Sequence, residues 1–421
     1  MLQTLISTDR WTDTQFVHRV LESGVEFAAD LLPERQTVSL HFRILAGTAD
    51  EPDELGGIAG LVEEMLPKGT KRFDGRKLAD EFDMRGIKWG GSTGRQSTLF
   101  RVLCLPEFVH EAVELIAELL CTPTFPKDKC AVALDLAKQS LRRLRDEPED
   151  VLRMISQRQV FGPRFGRWGG GTLESLEQID REKIEAHWKR TFSAGRLQVC
   201  AAGPIEADAF ADLLDQTFAD FGSGAAGGRE NADFTLQPGR VHESQKLEQE
   251  YICISLPGAA RGTEDFAREQ VLIGVLSGGM SGRLFTEVRE KLGLVYSVAA
   301  WHEQPRGKGV MHLSASTTPE RCEKTYETLL RELARLSKDL SEVEVERAKN
   351  AILAHAQTED DLTRARGATL SDDLFHFGKP VGIGPRLAAI QAVSLKAVRD
   401  YAARLQQDKL CVATVGEKQL S

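Results

Sequence analysis

Short apolar and β-branched runs punctuate the chain at VSLHFRILAG (38–47), TLFRVLC (98–104) and LQVCAAG (197–203). They recur at YICISLPGAA (251–260), VMHLSAS (310–316) and LCVATVG (410–416). Their length and their Gly or Pro borders read as strands, whereas EFVHEAVELIAELL (107–120) and ERCEKTYETLLREL (320–333) repeat apolar positions at helical spacing. The two series match in order. Gly47 and Gly258 are 211 residues apart, while Pro106 and Pro319, and Gly203 and Gly416, are each 213 apart. The chain therefore reads as two homologous halves. Strands at both ends of each half with helices between them predict an α+β fold: a mainly antiparallel sheet covered by helices on one face. Continuous βα alternation, which would favour a Rossmann-like sheet, is absent from the pattern.

The clearest break is SGAAGGRENADFTLQPGR (223–240), rich in glycine and polar residues and poor in core formers. It sets expected boundaries of 1–222 for a first domain, 223–245 for a linker and 246–421 for a second. With 421 residues, the chain is longer than one core usually supports. Lys and Arg number 54 against 63 Asp and Glu, a formal charge of −9, which favours solubility and offers no general attraction to nucleic acid or anionic lipid. Seven cysteines without a Cys-x-x-Cys spacing, several inside apolar runs, read as buried thiols of a reducing compartment. The start, MLQTLISTDRWTDTQF, lacks the basic and apolar regions of a secretory signal, and no run is long enough to span a bilayer. These features predict a cytoplasmic protein.

Candidate chemistry centres on GGIAGLVEEMLPKGT (56–70) and GVLSGGMSGRLFTEVREKLGLVYSVAA (274–300). The first resembles the inverted zinc motif of the pitrilysin, or insulinase-type, zinc peptidases, G-x-A-H-x-x-E-H-x-x-x-K-G-T. Its frame survives at Gly57, Ala59, Lys68, Gly69 and Thr70. On a helix, positions 60 and 64 are one turn apart, so imidazoles there converge on one ion while position 63 activates water. Here the ligand positions hold Gly60 and Glu64, and only the catalytic glutamate position is kept, as Glu63. The family's third ligand, a glutamate, aligns with Ser140 when RDEPED (145–150) is the anchor. Adjacent carboxylates at 63 and 64 point about 100° apart and form no convergent pair, so this chain is expected to hold no metal and no cofactor.

The second stretch resembles the family's S-x-R-L-F-x-x-V-R-E-x-x-G-L-x-Y-S, with Arg289 and Tyr296 on its arginine and tyrosine positions. In active members that pair holds substrate and stabilises the scissile carbonyl beside zinc, a role suited to a guanidinium and a phenol. The resemblance covers nearly the whole chain and implies two homologous domains forming half of a clamshell. It also implies a subunit inactive alone that completes the active site of a zinc-bearing homologous partner, together making a heterodimeric metalloendopeptidase. The alternative is a catalytically dead structural or peptide-binding protein. The expected substrate is an unfolded peptide added to an edge strand near IKWGGSTGRQSTLFRV (87–102), where Trp89, Gly90 and Gly91 stand. The two glycines read equally as a close backbone approach or as a flexible turn.

Other glycine-rich patches carry less. SGGMSG (277–282) lacks the Gly-Lys-Ser/Thr ending and preceding strand of a phosphate loop. In RWGGGTLESLEQI (167–179) a helix start is expected, with Ser175 as N-cap and Gln178 closing a capping box.

Overall fold

The computed structural model describes residues 15–222 and 227–420. The leader reading made on residues 1–14, and positions 223–226 of the glycine-rich segment, lie outside the described residues. In chain order the strands are β1 (Gln15–Val20), β2 (Glu26–Leu31), β3 (Val38–Ile44), β4 (Lys88–Thr93), β5 (Thr98–Cys104), β6 (Leu197–Gly203), β7 (Gly239–Ser244), β8 (Glu250–Gly258), β9 (Val295–Glu303), β10 (Gly309–Thr317) and β11 (Cys411–Gly416). The helices are α1 (Ile58–Met65), α2 (Gly75–Met84), α3 (Val109–Cys121), α4 (Lys127–Leu144), α5 (Pro148–Phe165), α6 (Leu173–Gln178), α7 (Arg181–Thr191), α8 (Ala207–Thr217), α9 (Glu264–Ser277), α10 (Cys322–Asp339), α11 (Glu342–Asp360), α12 (Thr363–Phe377), α13 (Gly384–Gln391) and α14 (Leu395–Ala403).

These elements form two compact units, each assembled from three stretches of chain. One comprises Met1–Leu141, Trp168–Glu230 and Thr358–Pro385; the other comprises Arg142–Arg167, Asn231–Gln357 and Arg386–Ser421. Each holds one mixed sheet. The first has strand order β1-β2-β6-β3-β5-β4, antiparallel except for β2 and β6. The second has order β7-β11-β8-β10-β9, antiparallel except for β11 and β7.

In the first unit, alternate residues of the sheet, among them Phe27, Leu40, Phe42, Phe100 and Val199, join Ile58, Leu61 and Val62 of α1 and Ile116 and Leu120 of α3 in one buried cluster. The opposite face is covered as well. Ala28 and Cys200 pack there against Leu370 and Leu374 of α12. Gly367 lets that helix come close, because a Cβ on it would stand 2.9 Å from Ser39 Oγ and 3.1 Å from His41 Cδ2. Polar ties fix its pose: Arg366 Nε donates to Asp30 Oδ2 at 2.7 Å and Arg43 Nη2 donates to Asp372 Oδ1 at 2.8 Å.

The second unit uses α5 similarly. Val151 and Leu152 pack on Cys253, Ala413 and Val415, while the alternate residues Ile252, Ile254 and Leu256 are buried on the other face. The expectation of helices on one face only is therefore corrected. Its physical reason is visible in β6 and β11, which are buried at every position and so belong to strands covered on both sides rather than to half-exposed ones.

One local expectation also changes. Helix α6 is capped by Thr172, whose hydroxyl accepts from Ser175 N at 3.1 Å while Ser175 Oγ accepts from Thr172 N at 2.9 Å. Ser175 is thus the third residue of the box and not its cap; its hydroxyl also donates to Gly56 O at 2.7 Å, which ties it inside the fold. In the second motif, Leu284–Lys291 form a π-helix. Among the described residues, no helix is long and apolar enough to cross a membrane, and the seven cysteines are free, six of them buried.

Candidate functional site

Helix α1 starts where Gly57 adopts φ 93°, a left-handed conformation that favours glycine. The buried carboxylate of Glu51 then accepts from Gly57 N at 3.1 Å and Ala59 N at 3.0 Å, meeting the unpaired N–H groups and positive end of the helix. Sequence reasoning passed over Glu51; an acidic residue just ahead of an apolar helix was the signal.

One turn into this helix, the zinc frame can be tested. Gly60 offers no donor, and a Cβ there would meet only Gly169 O, at 3.5 Å. Glu64 Oε1 lies 4.0 Å from Lys68 Nζ, an i, i+4 pairing at the surface. Glu63 is half-buried, and burial, followed by the neighbouring Glu64 charge, pushes its carboxyl above the ordinary value of 4.5. Ser140 is on the exposed side of α4, while Ala133, Ala137 and Leu141 of that helix pack toward the core and carry no donor. Among the described residues, no group of three or more His, Cys, Asp or Glu is placed to hold a metal ion. The residues present do not fit a catalytic zinc, which needs three converging protein ligands.

Beside α1 runs β4, the outermost strand of its sheet, paired among the described residues on one side only, with β5. Its residues alternate between faces. Trp89 stacks on Phe82 of α2 with ring centroids 5.0 Å apart, packing against the core. Gly91 faces α1: a Cβ there would collide with the Glu63 carboxylate and stand 2.9 Å from the Phe100 ring. Gly90 points the other way, where a Cβ would meet nothing within 4 Å.

In the second unit, Arg289 and Tyr296 are both exposed, the tyrosine to 59%. Buried Arg283 holds the start of their segment, donating through Nε to Glu344 Oε1 at 2.5 Å and through Nη1 to Asp339 Oδ1 at 2.7 Å. Val288 is buried, so the next position, Arg289, turns outward, with its guanidinium 5.1 Å from the centre of the Phe285 ring. Tyr296 sits at the start of β9, the outer strand of the second sheet, next to Ser297, which hydrogen-bonds Ser316 at 2.8 Å. Gly60, Glu63, Glu64 and Gly91 are thus gathered in one unit, and Arg289 and Tyr296 are presented by the other.

Two family models match the chain: Insulinase (Peptidase family M16) over residues 27–162 and Peptidase M16 inactive domain over residues 178–352. The chain is a homologue of the M16, insulinase-type zinc peptidases. The uncharacterized zinc protease YmxG of Bacillus subtilis is 24% identical over 397 residues, spanning 94% of this chain and 96% of that protein. An uncharacterized zinc protease of Mycobacterium tuberculosis is 26% identical over 405 residues, 94% of this chain and 92% of its own. Among solved structures, a peptidase M16 inactive domain from Pseudomonas fluorescens superposes with a TM-score of 0.87 at 19% identity, over 97% of this chain and 99% of that one. A protease from Helicobacter pylori gives the same TM-score at 16% identity, over 96% and 99%. These structural likenesses establish the M16 fold in both units. The M16 frame is present here without the metal donors at 60 and 64.

Proposed function

We propose that this M16 homologue binds extended, unfolded peptides without hydrolysing them. The observation that carries this reading is the one-sided pairing of β4, whose outer edge runs beside a helix with glycine and glutamate at the ligand positions. Such an edge pairs with a peptide backbone irrespective of its sequence, and without converging donors at 60 and 64 there is nothing to activate water. The test is to titrate a fluorescent unfolded peptide with the purified chain, with zinc supplied, and to follow both anisotropy and peptide mass. Binding with the peptide left intact is expected. Stoichiometric zinc together with cleavage that disappears in Glu63→Gln would overturn it.

The exposed Arg289 and Tyr296 favour a second reading, in which the chain completes the active site of a zinc-bearing homologous subunit. A protein that only binds peptide has no need of a guanidinium and a phenol on an M16 oxyanion-stabilising frame. Reconstitution with a homologue carrying an intact His-x-x-Glu-His separates the two readings. Zinc in the partner and turnover that requires this chain support site completion, and full activity of the partner alone rejects it.

A further inference from the structure

On the face of the first sheet that carries α12, a cavity of about 430 Å³ opens over β3, β5 and β4. Strand register sets three of its residues in a single row. Arg101 of β5 pairs with Gly90 of β4 on one side and with His41 of β3 on the other, so all three positions share a face. Lys88 precedes Gly90 by two residues and lies on that face too. From the helix side, Arg364 adds a third cation, while Ala365 and Ala368 are too small to fill the space.

The charge balance of this cavity runs against that of the whole chain. Lys88, Arg101 and Arg364 face a single lining acid, Glu359, a formal +2. Among the described residues, neither Lys88 nor Arg364 has an anionic partner, and the side-chain bond of Arg101 goes to the neutral hydroxyl of Ser92, at 3.1 Å. At the back of the row stands His41, 2% exposed, with its Nδ1 lacking a hydrogen-bond partner. Burial, followed by the nearby charge of Arg43, pushes the imidazole down to about 3, so it is neutral and has one N–H to donate. Cations without anionic partners at the mouth of a cavity are an arrangement that a bound carboxylate would complete.

We propose that this cavity is the subsite for an acidic side chain of the extended peptide that pairs with β4. The inference rests on the peptide-binding reading and adds a substrate preference to it. A peptide strand on the outer edge of β4 sends every second side chain to the face of Lys88 and Gly90. Beside Gly90 no side chain intervenes, so a glutamate there lies two strand spacings, about 10 Å, from the backbone of Arg101, a gap that a glutamate and an arginine close end to end. Lys88 flanks the same carboxylate, and Arg101 supplies charge-assisted hydrogen bonds.

Fluorescein-labelled, end-blocked decapeptides of Ser, Ala and Thr carrying one central Glu, Gln or Lys test this by anisotropy with the full-length chain at low salt. The Glu peptide should bind about tenfold more tightly than the Gln peptide, and the Lys peptide more weakly than either. Arg101→Gln and Lys88→Gln, both at exposed positions, should each bring the Glu-to-Gln ratio to within about twofold while leaving the Gln peptide unaffected. Equal binding of the Glu and Gln peptides to the wild type overturns the acidic subsite and leaves peptide binding standing. Binding of none of the three overturns both. A Glu preference that survives in the Arg101→Gln, Lys88→Gln double variant places the preference elsewhere and overturns the proposal. So does a Gln peptide with a free C-terminus that equals the blocked Glu peptide, since the cavity would then read a terminal carboxylate.

Discussion

The carboxylate of Glu63 occupies the place that a side chain on Gly91 would take. The glycine of β4 and the glutamate of α1 are therefore one packing unit, and Gly91 serves the helix in front of it while Gly90 leaves open the face behind. Placing a methyl at 91 would press on Glu63 and on the Phe100 ring together. Gly91→Ala should destabilise the chain by about 1–3 kcal/mol. In a Glu63→Ala background the cost should shrink, read as a coupling in a double-mutant cycle of urea unfolding; strictly additive costs would show that the two positions do not interact.

Glu63 also sets a pH dependence. Burial raises its carboxyl above the ordinary 4.5, so on raising the pH the unfolded chain ionises there before the folded chain does. The resulting penalty on the fold is absent below about pH 4.5 and complete above the folded value. Glu63→Gln should accordingly be more stable than the wild type at pH 7, with the gain fading at pH 4. Denaturation midpoints at the two pH values measure it; an equal gain at both would refute the assignment.

Arg283 anchors the segment that presents Arg289, and its partner Glu344 has the opposite pH behaviour. Burial alone would raise the Glu344 carboxyl, but hydrogen bonds from Arg283 and Ser341 outweigh it and hold it down to about 2. Its contribution to stability is present above pH 4.5 and lost as the pH falls through about 2. Glu344→Gln should cost about 1–3 kcal/mol at neutral pH, with the difference from the wild type narrowing in acid. Urea unfolding at pH 7 and pH 3 checks both statements.

Arg289 and Tyr296 are exposed, and their replacement should leave the fold in place. Arg289→Ala and Tyr296→Phe are each expected to change stability by no more than about 0.5 kcal/mol. If the chain completes a partner's site, each should lower kcat of the reconstituted pair at least about tenfold, the effect of losing a hydrogen bond made in the transition state. Unchanged kcat in a partner-dependent assembly would remove the pair from that role.

Much of this arrangement could be read from residue types and spacing. The matched runs VSLHFRILAG and YICISLPGAA became β3 and β8, and LQVCAAG and LCVATVG became β6 and β11. The loss of metal donors was equally legible, because glycine at 60 has no side chain in any fold. What stayed hidden depends on contacts distant in sequence. The face that α12 buries mixes Leu370, Leu374 and Phe375 with Thr363, Gly367, Ser371 and Asp373, too polar a pattern to announce a core helix. The stacking of Trp89 on Phe82 and the packing of Gly91 on Glu63 follow from which face each β4 residue takes, and that is fixed only by its register with β5.

The position of α12 bears on how the protein is made. Residues 358–385 belong to the first unit, so the second face of its sheet stays bare until α12 has left the ribosome, after residues 231–357 of the other unit have been made. Folding in strict N- to C-terminal order would therefore leave the first unit without α12 while the second is being made. A nascent product halted at the glycine-rich midpoint would carry Ala28 and Cys200 on a bare stripe of sheet, a surface for chaperones to shield and proteases to clear.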